Sequence, residues 1–199
     1  MSVSRQCRGR RRRISRRRIL LVRHGEADAA WGEDADPGLS QRGRQQAAMV
    51  ASQLAGMLKP DALSVISSPM RRARETAAPL AQTLDHEVAI DPAFSEVPGP
   101  AALSDRRAWL SDFMAAEWDT QPDALRSWRD TAIARLAAVQ SDIAVFTHFL
   151  LINAVVSGIT GRSQTVCFTP DNASITEIDC LNGQLRLVRL GQELATHIN

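Results

Sequence analysis

The stretch that most limits how this chain can fold is Ile19-Leu20-Leu21-Val22, an apolar run that stops abruptly at Arg23-His24-Gly25-Glu26. Four consecutive β-compatible apolar residues suit a central parallel strand covered on both faces. In open α/β sheets ligands sit beyond the carboxyl ends of such strands, and Arg23 and His24 fall at that end. Gly25 adds no side chain there, so the backbone can bend and a ligand can approach the imidazole closely. An arginine beside a histidine in this position suits a phosphoryl group. The guanidinium fork binds two oxygens while a neutral imidazole nitrogen attacks phosphorus.

The rest of the chain alternates between helical and strand patterns. Residues 27–38 are rich in Asp, Glu, Gly and Pro and read as a surface loop near the pocket. Ser40 is expected to N-cap a helix over 41–58, with Ala47, Val50, Ala51, Leu54 and Leu58 on its apolar face. A second parallel strand is predicted at 63–66, ending in Ser67-Ser68-Pro69, with Pro69 in the first turn of a helix over about 70–84. That turn carries Arg71, Arg72 and Arg74, where a helix N-terminus and basic side chains together favour an anion. A short strand at 87–90 leads to a loop over 92–100 containing Glu96. Two amphipathic segments, 104–117 and 123–139, form a helical excursion of about 104–140 that could cap the pocket. A strand at 142–147 ends at His148, the second histidine placed directly after a predicted strand. A buried helix over 149–157 follows, with Gly158 to Gly161 punctuating its end, then strands at 173–180 and 185–190 joined by Asn182-Gly183, a strong hairpin signal.

A length of 199 residues accommodates one sizeable core, and no apolar stretch is long enough to span a bilayer. The formal charge of +2 conceals an asymmetry: nine of the 24 basic residues lie in residues 1–18, which contain no acid, so the remainder carries 15 basic against 22 acidic side chains. Residues 1–18 are expected to be a disordered arginine-rich extension, with nucleic-acid contact confined to it if it occurs at all. Residues 19–199 are expected to form a single domain. Cys7, Cys167 and Cys180 are odd in number and widely spaced, which favours a reducing, cytoplasmic setting over a disulfide framework or a zinc site. Nothing in the sequence specifies the oligomeric state.

The candidate chemistry is the convergence of His24, His148, Arg23, Arg72 and Glu96 at one sheet edge. With these residues in view, the chain resembles the histidine phosphatase superfamily, the phosphoglycerate-mutase-like family. Leu21-Val22-Arg23-His24-Gly25-Glu26 matches its signature and Leu39-Ser40-Gln41-Arg42-Gly43 its Leu-Thr/Ser-x-x-Gly element. Ser67-Ser68-Pro69-Met70-Arg71-Arg72-Ala73-Arg74-Glu75-Thr76-Ala77 is similar to its Ser-Ser-Pro-Leu-x-Arg-Ala-x-x-Thr-Ala block, in which Arg72 rather than Arg71 is the pocket arginine. Val145-Phe146-Thr147-His148 resembles the strand that ends in the second family histidine.

The resemblance implies a three-layer sandwich with a mostly parallel central sheet flanked by helices. It also implies hydrolysis of a phosphorylated small molecule. His24 would be the nucleophile, Arg23, Arg72 and a protonated His148 would hold the phosphoryl oxygens, and Glu96 would be the proton donor. No cofactor and no metal ion are expected. Phe149 stands where many relatives have glycine, so a bulkier, more apolar wall is expected beside His148. The aspartate that follows the second histidine in the acidic branch is absent, leaving Glu96 or, failing that, Glu26, Asp28, Glu33 or Asp34 to donate the proton. The chain contains no tyrosine, so the Glu-Arg-His-Tyr segment of cofactor-dependent mutases cannot be present and a phosphatase is favoured over a mutase. Two alternatives stand beside this reading: a phosphohistidine protein phosphatase, and a non-catalytic phosphate-binding or nucleic-acid-associated regulator.

Overall fold

A computed structural model describes residues 16–29, 34, 36–57, 63–99 and 103–194. Six strands form one sheet: β1 (Arg16–Arg23), β2 (Leu63–Ser67), β3 (Val88–Ile90), β4 (Asp142–Thr147), β5 (Ile175–Leu181) and β6 (Gln184–Arg189). Their order is β3-β2-β4-β1-β5-β6. The pairs β3/β2, β2/β4 and β4/β1 are parallel, whereas β5 runs antiparallel to both β1 and β6. The helices are α1 (Gln41–Met57), α2 (Arg71–Leu84), α3 (Leu103–Ala115), α4 (Asp123–Ala137) and α5 (Phe149–Thr160). This is the mostly parallel α/β sandwich expected.

The alternation of side chains along β1 explains its unbroken apolar run. Leu20 and Val22 face Val50, Ala51 and Leu54 of α1 and Ala77 and Leu80 of α2. Ile19 and Leu21 face the opposite layer, Leu136 of α4 with Leu151, Ile152 and Val155 of α5. All four β1 side chains are fully buried. Truncating Ile19, Leu20 or Leu21 to alanine would remove about 2–5 kcal/mol of stability, the range for such large-to-small changes in a packed core. A third cluster joins Val97, Leu110, Phe113, Trp118 and Leu125 to Phe149, Leu150 and Ala154, and so ties the helical excursion to α5. Trp109 and Trp128 pack against it, so the three tryptophans of the excursion belong to the core.

Three details depart from expectation. First, β1 begins at Arg16, so the boundary expected after residue 18 lies too late. Arg16 pairs with Asp179 at 2.9 Å, Arg18 pairs with Glu177 at 2.8 Å, and the Arg17 Nε–H donates to the Gln140 carbonyl. The ladder and these acids on β5 recruit arginines that no hydrophobic pattern would place in a strand; the rest of the expected extension lies outside the described residues. Second, α2 starts at Arg71 with Met70 as N-cap, which leaves Pro69 just outside the helix. Third, α5 runs three residues past 157 to Thr160, and it is Gly161, the last residue of the expected 158–161 punctuation, that ends it at φ 70°. Elsewhere local chemistry acts as read. The Ser40 Oγ accepts from the Gly43 N–H at 3.0 Å to cap α1. Asn182 and Gly183 have φ of 52° and 85°, both positive as a type I′ hairpin turn requires. No helix among the described residues is long and apolar enough to cross a membrane.

Candidate active site

Parallel register brings the two histidines together. Arg23 pairs with Thr147, so His24 and His148 are the next residues along adjacent strands. The His24 N–H donates to the Thr147 carbonyl at 2.9 Å, and the imidazole centroids stand 5.3 Å apart. On the other side of β4, Ser67 pairs with Phe146, and the Ser68 N–H donates to the Phe146 carbonyl at 2.9 Å. Three strand ends thus deliver His24, His148 and Ser68 to one crevice, as the rule for open parallel sheets anticipates.

The orientation of His24 is set by two contacts. Its Nδ1 lies 2.7 Å from the Gly25 carbonyl, which can only accept, so Nδ1 carries the hydrogen. Nε2 therefore presents its lone pair, and it accepts from the Arg72 Nε–H at 3.1 Å. The imidazole is almost fully buried. Burial above all, then the Arg72 charge and more weakly that of Arg23, lower its pKa to about 3, against the opposing hydrogen bond to Gly25. His24 is neutral throughout the physiological range.

Backbone contacts hold this geometry. The Gly25 N–H donates to the Thr76 Oγ1 at 3.0 Å, and that hydroxyl donates to the Arg72 carbonyl at 2.7 Å. Thr76 thereby fixes the first turn of α2, and with it Arg72, against the end of β1. Gly25 and Gly43 meet backbone to backbone: a Cβ on Gly25 would lie 2.6 Å from the Gly43 carbonyl oxygen, and one on Gly43 would lie 2.0 Å from that of Glu26. Asn172 closes the other side, its Nδ2 donating to the His24 carbonyl at 3.0 Å.

His148 is fully buried at the N-cap of α5. Its Nε2 lies 2.7 Å from the Ser68 Oγ, and its Nδ1 has no partner among the described residues. The resemblance implies a protonated His148 around a bound phosphoryl group; the unliganded protein presents a different electrostatic setting. Burial, followed by the charges of Arg72 and Arg23 and the neighbouring His24, drives its pKa well below the ordinary histidine value, so the ring is neutral in the free protein. Arg23 reaches across from β1, donating from an Nη to the Pro170 carbonyl at 2.8 Å and lying 5.2 Å above the Phe149 ring. Phe149 is therefore a cation–π floor for Arg23 as well as the expected bulkier wall. Arg23 and Arg72 both have pKa values lowered chiefly by burial, opposed by Glu96, but guanidinium stays charged. Arg71 points elsewhere, donating from Nε to Glu75 at 2.7 Å.

Glu96 follows the short 3-10 turn Pro92–Phe94, which the Thr147 hydroxyl tethers by donating to the Phe94 carbonyl at 2.7 Å. The Trp128 indole N–H of α4 donates to the Ser95 carbonyl at 3.2 Å and holds the loop from the other side. Glu96 as a residue is partly exposed, yet its carboxyl is desolvated, and that burial raises its pKa. The Val97 N–H at 3.0 Å, Arg72, the Leu150 N–H and Arg23 oppose the rise without cancelling it. Of the fallback acids, Glu26 is engaged by the Ser40 hydroxyl at 2.7 Å and faces Arg42, and the Asp34 carboxylate accepts from the Asp36 N–H at 3.0 Å. Asp28 is exposed, and Glu33 lies outside the described residues. Among the described residues no group of three or more His, Cys, Asp or Glu is arranged to hold a metal ion.

Sequence reasoning passed over Ser68, Thr76, Asn172 and Asn153. Ser68 and Thr76 stand inside the block that carries Arg72, and their spacing from it was the available signal. Asn153 is buried on α5 and its Oδ1 accepts from the Cys167 and Phe168 N–H groups at 2.8 and 3.1 Å, fixing the segment that leads to Pro170 and Asn172. No local pattern announces that contact.

Two imidazoles and two buried guanidiniums thus meet at the carboxyl ends of parallel strands in an α/β sandwich. The chain belongs to the histidine phosphatase superfamily, branch 1, whose family model matches residues 19–193. A phosphatase, the enzyme class expected from the sequence, accords with that family. An uncharacterized protein of Mycobacterium tuberculosis, Rv0525, is 32% identical over 162 residues, which cover 72% of this chain and 79% of that protein. Mycobacterial glucosyl-3-phosphoglycerate phosphatase in its VO3 complex superposes with a TM-score of 0.66 at 23% identity, over 87% of this chain and 98% of that one. Phosphoserine phosphatase of Entamoeba histolytica, in complex with 3-phosphoglyceric acid, gives 0.66 at 21% identity over 88% and 96%. At these identities the two solved structures speak to the fold.

Proposed function

We propose that the protein hydrolyses phosphomonoesters of small molecules through a phosphohistidine on His24. The observation that carries this reading is the hydrogen-bonded state of His24: Nδ1–H is committed to Gly25 and the Nε2 lone pair faces Arg72. In the first step Nε2 forms a bond to phosphorus as the ester P–O bond breaks. Glu96, whose pKa is raised by burial, gives its proton to the leaving oxygen. In the second step Glu96 takes a proton from water, whose oxygen bonds to phosphorus as the P–N bond breaks. Arg23, Arg72 and the free Nδ1 of His148 hold the non-bridging oxygens, where charge must be stabilised.

The excursion favours a small substrate over a phosphohistidine protein. Trp128 bonds to Ser95 and Val97 packs in the cluster with Leu110 and Phe113, so α3 and α4 wall the site beside Glu96. The regulator reading loses part of its support because Arg16 and Arg18 are paired with Asp179 and Glu177. The test is His24→Ala assayed with an aryl phosphate, together with alkaline quenching of the wild-type reaction to trap the acid-labile phosphoryl adduct. Loss of turnover and an adduct confined to His24 are expected. Undiminished turnover by H24A overturns the reading. A panel of phosphorylated metabolites that includes phosphoserine and phosphoglycerates, run beside a phosphohistidine peptide, separates the substrate classes.

A further inference from the structure

We propose that Ser68 is a positioning residue that locks His148 in the Nδ1–H tautomer, so that this neutral ring donates a hydrogen bond to the phosphoryl group. The inference rests on the proposed phosphoryl transfer for its role but on hydrogen-bond direction for its geometry. Ser68 is fully buried and its Oγ makes two contacts: it accepts from the Met70 N–H at 3.2 Å, and it lies 2.7 Å from the His148 Nε2. The first contact uses an oxygen lone pair, because a backbone N–H can only donate. No other acceptor for the hydroxyl hydrogen is found among the described residues, the Ser67 hydroxyl being turned to the Ser68 carbonyl at 2.8 Å. A buried hydroxyl hydrogen left unpaired is unfavourable, so it points to Nε2, which must then carry the lone pair.

The ring hydrogen consequently sits on Nδ1, the one buried nitrogen of His148 without a partner, beside His24. The opposite tautomer would strand the hydroxyl hydrogen and aim a lone pair at an anionic phosphoryl group. His148 thus binds phosphate by direction rather than by charge, and the two arginines supply the charge. Ser68 also joins the start of α2 to the end of β4, so the residue that orients His148 is fixed by the segment that delivers Arg72.

The first readout is 15N NMR of the unliganded wild-type protein, with ring nitrogens assigned by His148→Gln. A pyrrole-type Nδ1 and a pyridine-type Nε2 for His148 are expected; a pyrrole-type Nε2 overturns the proposal. The second readout is kinetic. Ser68→Ala is expected to lower kcat by about tenfold or more with KM within about threefold, as loss of a tautomer-setting partner does in other imidazole-dependent enzymes. Ser68→Thr, which keeps the hydroxyl, should retain the wild-type ring spectrum. An S68A protein that folds and keeps wild-type kcat overturns the proposal, as does an S68A ring spectrum identical to wild type. Trapping of phospho-His24 in the wild type is measured alongside. Its absence would refute the phosphoryl-transfer reading while leaving the ring spectrum to judge the Ser68 contact independently.

Discussion

His24 is held neutral by its surroundings, and this makes the stability of the protein depend on pH in a way one substitution should reveal. In the unfolded chain a histidine titrates near its ordinary value of about 6.5. In the folded protein the pKa of His24 is depressed to about 3. Above pH 6.5 both states are neutral and the full stability is present. As pH falls toward 3 the unfolded state binds a proton that the folded state refuses, so stability is lost progressively across that window. One such group contributes a slope of about 1.4 kcal/mol per pH unit, giving a loss of about 2 kcal/mol at pH 5 and about 2.7 kcal/mol at pH 4.5. Other titratable groups also respond to pH, so the wild-type curve alone does not isolate His24. His24→Gln keeps an acceptor for the Arg72 Nε–H and removes the titration. Urea unfolding of both proteins at half-unit steps from pH 7.5 to 4.5 gives two stability curves. Their difference should change by about 1.4 kcal/mol per pH unit below pH 6. Parallel curves would refute the claim that His24 is locked neutral.

Three further outcomes follow from the packing around the site. Gly43→Ala must push a Cβ to 2.0 Å from the Glu26 carbonyl oxygen, so the segment behind His24 shifts; a loss of about 1–3 kcal/mol in denaturant unfolding is expected, with a larger proportional fall in kcat. Thr76→Val leaves the buried Gly25 N–H without its acceptor, and a loss of about 1–3 kcal/mol is expected, read as a lower Tm in a thermal scan. Glu96→Gln should reduce turnover of an alkyl phosphate by about 10²–10⁴-fold and that of an activated aryl phosphate far less. Equal losses on both esters would remove the proton-donor role.

The parts of the structure that were legible in the sequence are those governed by local pattern. The apolar run at Ile19 reads as a central strand because both faces of β1 are covered, and Asn182-Gly183 reads as a hairpin because few other dipeptides adopt two positive φ angles. Strand ends then place His24 and His148 together without further information. The start of β1 was not legible, because Arg16 and Arg18 are placed by Asp179 and Glu177, more than 150 residues away in sequence. The same holds for Thr76, Asn153 and Asn172, whose importance lies in a hydrogen bond to a distant backbone group. The charge of His148 in the unliganded protein was not legible either. Its family role suggests a cation, but its degree of burial and the nearness of two guanidiniums are tertiary facts.

Burial shifts both groups toward the protonation states that the proposed chemistry needs, because desolvation disfavours whichever form is charged. For an imidazole the neutral form is the base, and for a carboxyl it is the acid. The same dry pocket therefore favours the neutral form of both His24 and Glu96, the forms that the proposed nucleophile and proton donor require. The arginines break the symmetry. They lower the pKa of His24, which helps keep it neutral, and they also lower that of Glu96, which works against its protonation. A phosphoryl dianion bound between Arg23 and Arg72 offsets that pull, so the proton on Glu96 is held most firmly when a leaving oxygen is present to receive it. Once the alcohol has left, the Glu96 carboxylate is again beside two guanidiniums partly offset by the phosphohistidine, and it is in the form that accepts a proton from water. In the proposed cycle one proton moves off Glu96 in the first half-reaction and back onto it in the second.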